Sequence, residues 1–190
     1  MSAAPGQTVG PFFHLGLPYE KGAELVPPGR AGAIRLHGTV YDGDGVPVPD
    51  ALIEIWQANA AGRYNHPADR QAGELDPEFR GWSRTGTNFE TGIFTFETIK
   101  PGRVVGRNGS TMAPHVSFWI VSRGINIGLN TRMYFDDETA ANGEDPVLRM
   151  IEPQVRRQTL LAKRGERDGK VVYTFDIYLQ GPNETVFLDV

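Results

Sequence analysis

From Ala33 onward the chain falls into short stretches in which apolar and polar positions alternate. Ile34, Leu36 and Val40 share one face of the first, which runs into the turn signal Asp42-Gly43-Asp44-Gly45. The next places Leu52, Glu54 and Trp56 on one face and Ile53 and Ile55 on the other. Apolar groups on both faces predict a largely buried strand, closed by Gly62. Ile93 to Ile99 opens after a Thr91-Gly92 turn, is rich in aromatic and β-branched residues, and stops at Pro101-Gly102. His115 to Val121, Leu129 to Phe135, Val171 to Tyr178 and Thr185 to Leu188 give four further strands separated by Gly, Pro, Asn or Asp clusters.

Only Pro153 to Arg164 reads as a helix. Short strands with frequent turns and one helical excursion predict an all-β protein, an antiparallel β-sandwich rather than a βαβ sheet. Ahead of it, residues 5 to 31 are rich in proline and glycine, a composition that disfavours helix and strand alike. The expected organisation is an N-terminal arm, 1–32, that lies on some other surface, followed by one sandwich domain, 33–190.

A chain of 190 residues suits one domain with a real core. Its formal charge of −4 leaves no basic excess to attract phosphate backbones, so no nucleic-acid partner is expected. No stretch approaches the roughly 20 apolar residues of a membrane span, and the first ten residues lack the pattern of a secretory signal. A cytoplasmic protein is expected. With no cysteine, any metal must be held by His, carboxylate, Tyr or water, and there are 4 histidines to supply it.

On a strand, residues i and i+2 project from one face and can clamp one metal. His115 is followed at that spacing by Ser117, a poor ligand for iron. By itself a lone strand histidine reads as a hydrogen-bonded structural residue. His14, His37 and His66 sit in separate segments with no ligand spacing. The acidic run Asp136-Asp137-Glu138 reads as a solvated turn or a helix N-terminus. Arg156-Arg157 and Lys163-Arg164 read as the exposed face of the expected helix.

Several long segments carry a resemblance. Leu52 to Tyr64 (LIEIWQANAAGRY), Thr98 to Gly102 (TIKPG), Ala113 to Phe118 (APHVSF), Gln7 to Phe12 (QTVGPF), Arg123 to Asn126 (RGIN) and Arg132 to Glu138 (RMYFDDE) occur in this order. They resemble the intradiol ring-cleaving dioxygenases, and the likeness spans nearly the whole chain. That family implies a prealbumin-like β-sandwich and a ferric ion held by two tyrosinates and two histidines, hard oxygen and borderline nitrogen donors. Tyr64 matches the first tyrosinate and His115 the first histidine. Val104 stands at the second tyrosinate, Ser117 at the second histidine, and Met112 where iron-holding members have an arginine.

With half the ligand set replaced, the resemblance implies a subunit of the α type. Its partner, a homologous β subunit, would hold Fe(III), in a hetero-oligomer of α–β pairs that opens 3,4-dihydroxybenzoate with O₂ to 3-carboxy-cis,cis-muconate. No metal would be held by this chain. In the family the active site lies at the α–β interface, and Thr8, Gly10, Pro11 and Arg123 match α positions that wall the aromatic acid's pocket. The residue types suit that role: glycine admits close backbone approach, proline stiffens the arm, and a planar guanidinium fits a carboxylate. From the residues alone Arg123 is equally a surface ion-pair residue. Two other readings stay open: a structural β-sandwich with no share in an active site, and an independent iron enzyme with unusual ligands.

Overall fold

The computed structural model describes residues 8–10, 12–106 and 108–189. Its strands are β1 (Ala33–Tyr41), β2 (Leu52–Trp56), β3 (Trp82–Gly86), β4 (Ile93–Ile99), β5 (Val104–Val105) and β6 (Thr111–Met112). After these come β7 (His115–Val121), β8 (Leu129–Phe135), β9 (Leu161–Arg167), β10 (Lys170–Thr174) and β11 (Ile177–Tyr178). Three short helices accompany them: α1 (Phe12–Gly16), α2 (Thr139–Glu144) and α3 (Pro146–Met150).

Nine strands form one sheet, in which β4, β11, β1, β10 and β9 make one half and β8, β7, β2 and β3 the other. The halves meet through two pairings between β8 and β9, Tyr134 with Leu161 and Phe135 with Ala162. Alternation then puts apolar side chains between them: Ile34, Leu36, Phe94 and Phe96 from one side, Ile53, Ile55, Phe118 and Ile120 from the other. The Phe94 and Phe118 rings meet across this core at 5.9 Å in an edge-on contact, a favoured aromatic geometry.

The expected antiparallel sandwich is corrected in one respect. The sheet is mixed and continuous, folded over on itself into a nearly closed, barrel-like form: β1 runs parallel to β10 and β11, and β8 parallel to β9. The strand expected over Val171 to Tyr178 is interrupted at Phe175 and Asp176. There Asp176 Oδ1 accepts the Thr39 N–H at 2.9 Å, and the Phe175 N–H donates to the His37 carbonyl. Gly38 lies against the Phe175 carbonyl so closely that a Cβ would collide with it.

The helix expected over Pro153 to Arg164 is a 3₁₀ turn, Gln154–Leu160, leading directly into β9. Two open edges, β8 and β10, offer backbone partners to residues 161–167, and pairing overrides local propensity. Lys163 and Arg164 therefore stand on a strand. Thr185 to Leu188 forms a single bridge, Leu188 with Asn130, instead of a strand.

Within the arm, Phe12–Gly16 is helical although proline and glycine surround it. The later part joins this chain's own fold. Leu25 is buried in the core and its N–H donates to the Glu97 carbonyl at 2.8 Å. Arg30 pairs with Asp76 and Glu78. No helix among the described residues is long and apolar enough to cross a membrane.

Candidate functional site

The outer face of the β8-β7-β2-β3 half carries residues in transverse rows, because directly paired residues on neighbouring strands project to the same side. One row reads Trp82, Trp56, Ser117 and Arg132. Two residues along, His115 of β7 stands opposite Tyr134 of β8. The α2–α3 segment covers that second row: Tyr134 packs with Ala113, Ala141, Leu148 and Ile151 in a small second core. The first row is left open to a cleft of about 1020 Å³ lined by Trp56, Tyr64, His66, Asp69, Met112 and Arg132, among others.

Local backbone chemistry presents Tyr64 to this cleft. Asn59 Oδ1 accepts the N–H groups of Ala61 and Arg63 at 2.9 and 3.0 Å, and its amide donates to the Glu74 carbonyl at 2.7 Å. This closes a tight turn at Gly62, whose φ of 74° favours glycine. The Arg103 carbonyl packs where a Cβ at Gly62 would stand, so the turns before Tyr64 and before Val104 are locked together. Tyr64 then lies flat against Trp56, with ring centroids 5.8 Å apart and planes 6° apart.

Of the positions matched to iron ligands, Tyr64, His115 and Ser117 neighbour Arg132, and Val104 is linked to it only through Met112. Ser117 is the cross-strand partner of Arg132. Val104 pairs with Met112, whose Sδ lies 3.4 Å from an Arg132 guanidinium nitrogen. Burial pushes the Tyr64 phenol up; Arg132 opposes that shift and Asp69 adds to it. Burial, and then the Arg132 charge, hold the His115 imidazole down at about 4, against the Ala113 carbonyl and Asp145. His115 Nδ1 lies 2.8 Å from that carbonyl, and its buried Nε2 has no hydrogen-bond partner.

This donor set does not fit a ferric ion. A buried valine and a neutral serine offer no anionic oxygen, Tyr64 is driven away from the tyrosinate form, and a fixed guanidinium charge stands in the same row. Among the described residues no group of three or more His, Asp or Glu is placed to hold a metal. The other histidines lie apart: His14 is buried against Phe89 and bonds the Thr87 carbonyl, His37 bonds Thr174, and His66 accepts the Ala68 N–H.

Of the residues matched to the aromatic acid's pocket, Thr8 and Arg123 meet at a different corner. The Thr8 hydroxyl donates to the Ile125 carbonyl at 3.0 Å and accepts the Gly124 N–H at 2.9 Å. Arg123 pairs through Nε with the buried Asp50, whose other oxygen accepts from Ser122 at 3.2 Å, while more than half of the Arg123 side chain stays exposed. Gly10 is exposed, and a Cβ there would meet nothing among the described residues. Pro11 lies outside the described residues.

Sequence reasoning missed Arg132 and Asp145. Arg132 is a charged residue at an alternate position of a strand, on the face that Ser117 shares. The fully buried Asp145 caps α3 by accepting the Val147 and Leu148 N–H groups, each at 2.9 Å. It also takes the Tyr134 hydroxyl at 3.1 Å and the Ala113 N–H at 2.8 Å. An aspartate directly before a proline-led helix was its signal.

Comparison with known proteins matches a dioxygenase family model to residues 10–181. The chain is 46% identical over 196 residues to a protocatechuate 3,4-dioxygenase alpha chain of Pseudomonas putida, covering 97% of this chain and 95% of that one. It is 36% identical over 158 residues to a protocatechuate 3,4-dioxygenase beta chain of Burkholderia cepacia, covering 80% of this chain and 66% of the relative. In fold it is similar to the crystal structure of 3-chlorocatechol 1,2-dioxygenase from Rhodococcus opacus. The TM-score is 0.61 at 23% identity, over 82% of this chain and 63% of that one.

Proposed function

Because the chain belongs to the intradiol ring-cleaving dioxygenase family, we propose that it serves as the α-type subunit of a two-subunit enzyme that opens 3,4-dihydroxybenzoate with O₂. The product is 3-carboxy-cis,cis-muconate. The observation that carries the reading is full-length likeness to an alpha chain combined with ligand positions occupied by Tyr64, Val104, His115 and Ser117, a set that does not fit iron. Family members depend on iron, which draws electron density off a chelated catechol ring. In this reading a β-type partner holds it, in α–β pairs within the cytoplasm.

This chain's own work is binding and orientation. Thr8 fastens the arm to the loop that carries Arg123, two residues ahead of Gly10. The Arg123 guanidinium, braced by Asp50 yet largely exposed, offers a planar cation to a ring carboxylate arriving at the subunit boundary. The openness around Gly10 within one chain fits close approach by a ligand or a partner. Positioning of this kind lowers the entropic part of the barrier without any reacting group on this subunit.

The Arg123–Asp50 pair also favours a second reading, in which Arg123 merely stabilises its loop and this subunit is structural. Turnover of 3,4-dihydroxybenzoate by the assembled α–β complex separates the two. Arg123→Ala is expected to raise KM at least ten-fold. An unchanged KM would establish the structural reading. Iron and activity assays of this chain purified alone are expected to find a colourless, inactive protein, and an iron-bearing active one would overturn the proposal.

A further inference from the structure

The cleft on the outer face is not used by the function proposed above. At its floor the half-buried Arg132 guanidinium forms no ion pair among the described residues. Its polar contacts are with Met112 Sδ and the Tyr134 hydroxyl. Most donors of its planar fork are thus unmatched, a costly state for a charge drawn partly out of water. The carboxylate of the cleft, Asp69, does not supply the counter-charge. It accepts the backbone N–H groups of Tyr64 at 2.7 Å and Gln71 at 3.2 Å.

Beside this cation stand two apolar walls. Trp56 and Tyr64 form one continuous stacked surface, and Val147 and Met150 supply an aliphatic rim on the other side. Met150 is 74% exposed among the described residues. A volume near 1020 Å³ lies at the top of the range of small-molecule sites, roughly 300–1,000 Å³, ample for a single-ring acid. The hollow beside Arg123 is lined by other residues altogether.

We propose that this cleft is a second small-molecule site, which binds a planar aromatic carboxylate through the Arg132 fork with the ring against the Trp56–Tyr64 wall and Met112. The preference for an anion follows from charge. Among the described residues the Arg132 guanidinium has no ion-pair partner, whereas the Asp69 carboxylate is already held by two backbone N–H groups, so the unmatched charge in the cleft is positive and a carboxylate is drawn in. The preference for a planar acid follows from shape, since a guanidinium pairs with a carboxylate in a two-pronged, coplanar way and the adjoining surface is flat.

The test uses the α–β complex with 4-bromobenzoate as the probe. In soaked crystals the anomalous bromine signal is expected in the cleft between Trp56 and Met150. In solution, equilibrium dialysis is expected to find a class of sites, one per pair, that Arg132→Met weakens at least ten-fold. Met150→Glu, which sets a like charge at the exposed rim, is expected to weaken the same class without touching the core. It keeps the comparison decisive if Arg132→Met fails to assemble. The proposal is overturned if no bromine lies in the cleft, or if neither variant changes the number of probes bound.

Discussion

Thr8 and Gly124, 116 residues apart in the chain, are joined by a 2.9 Å hydrogen bond from the Gly124 N–H to the Thr8 hydroxyl. The same hydroxyl donates to the Ile125 carbonyl, so one side chain of the arm both accepts from and donates to the loop that carries Arg123. Thr8→Val keeps the shape and removes both bonds. A net loss of about 1 kcal/mol of arm placement predicts a roughly five-fold higher KM for 3,4-dihydroxybenzoate in the α–β complex. Equal KM values for the variant and the parent would show that arm and pocket are uncoupled.

Asp145 is expected to be the most sensitive polar residue of the second core. Its carboxylate serves four donors: two N–H groups of α3, the Ala113 N–H and the Tyr134 hydroxyl, whose pKa burial and Asp145 together push up. Asp145→Ala strands all four, at a cost of roughly 2–4 kcal/mol. Thermal melting should fall by about 5–15 °C. A change of a degree or less would mean that water replaces the carboxylate without penalty.

His115 makes stability depend on pH. Its folded pKa of about 4 lies below the ordinary 6.5 because the neutral ring is buried and faces the Arg132 charge. The unfolded chain therefore binds the extra proton first as pH falls. The contribution of His115 is intact above 6.5, declines below it, and levels off below about 4 after a loss of roughly 3 kcal/mol. Melting curves between pH 7.5 and 4.5 should show this decline in the parent and a flatter one in His115→Asn. Parallel curves would contradict it.

Gly38 is expected to tolerate no side chain. It lies where β1 passes from β10 to β11, against the Phe175 carbonyl. Gly38→Ala must displace that backbone and the neighbouring Thr39–Asp176 bond, at a cost of roughly 1–3 kcal/mol. Urea unfolding of the variant reads the loss directly; an unshifted midpoint would show that the crossing is loose.

Alternation made several elements legible in advance. Strands over Ile93 to Ile99, His115 to Val121 and Leu129 to Phe135 occur with those bounds, because each has its apolar set on one face and a glycine, proline or polar cluster at its end. Residues 161–164, the end of the expected helix, misled for the opposite reason. Alternating charges and leucines satisfy a helical reading equally well, and only the free edges of β8 and β10 decide for a strand.

The sequence by itself determined the kind of protein. The spacing of apolar residues sets an all-β core, and the residues at 64, 104, 115 and 117 set a metal segment stripped of half its donors. Neither depends on anything distant. Tertiary structure decided what those positions became. Register across β2, β7 and β8 brings Trp56, Ser117 and Arg132 into one row, and the α2–α3 cover buries the next row while leaving this one open. The physical reason is that charge and burial act through space: Arg132 is 68 residues from Tyr64 along the chain, since 132 − 64 = 68. Its field meets the phenol only after the sheet has folded the two to the same cleft.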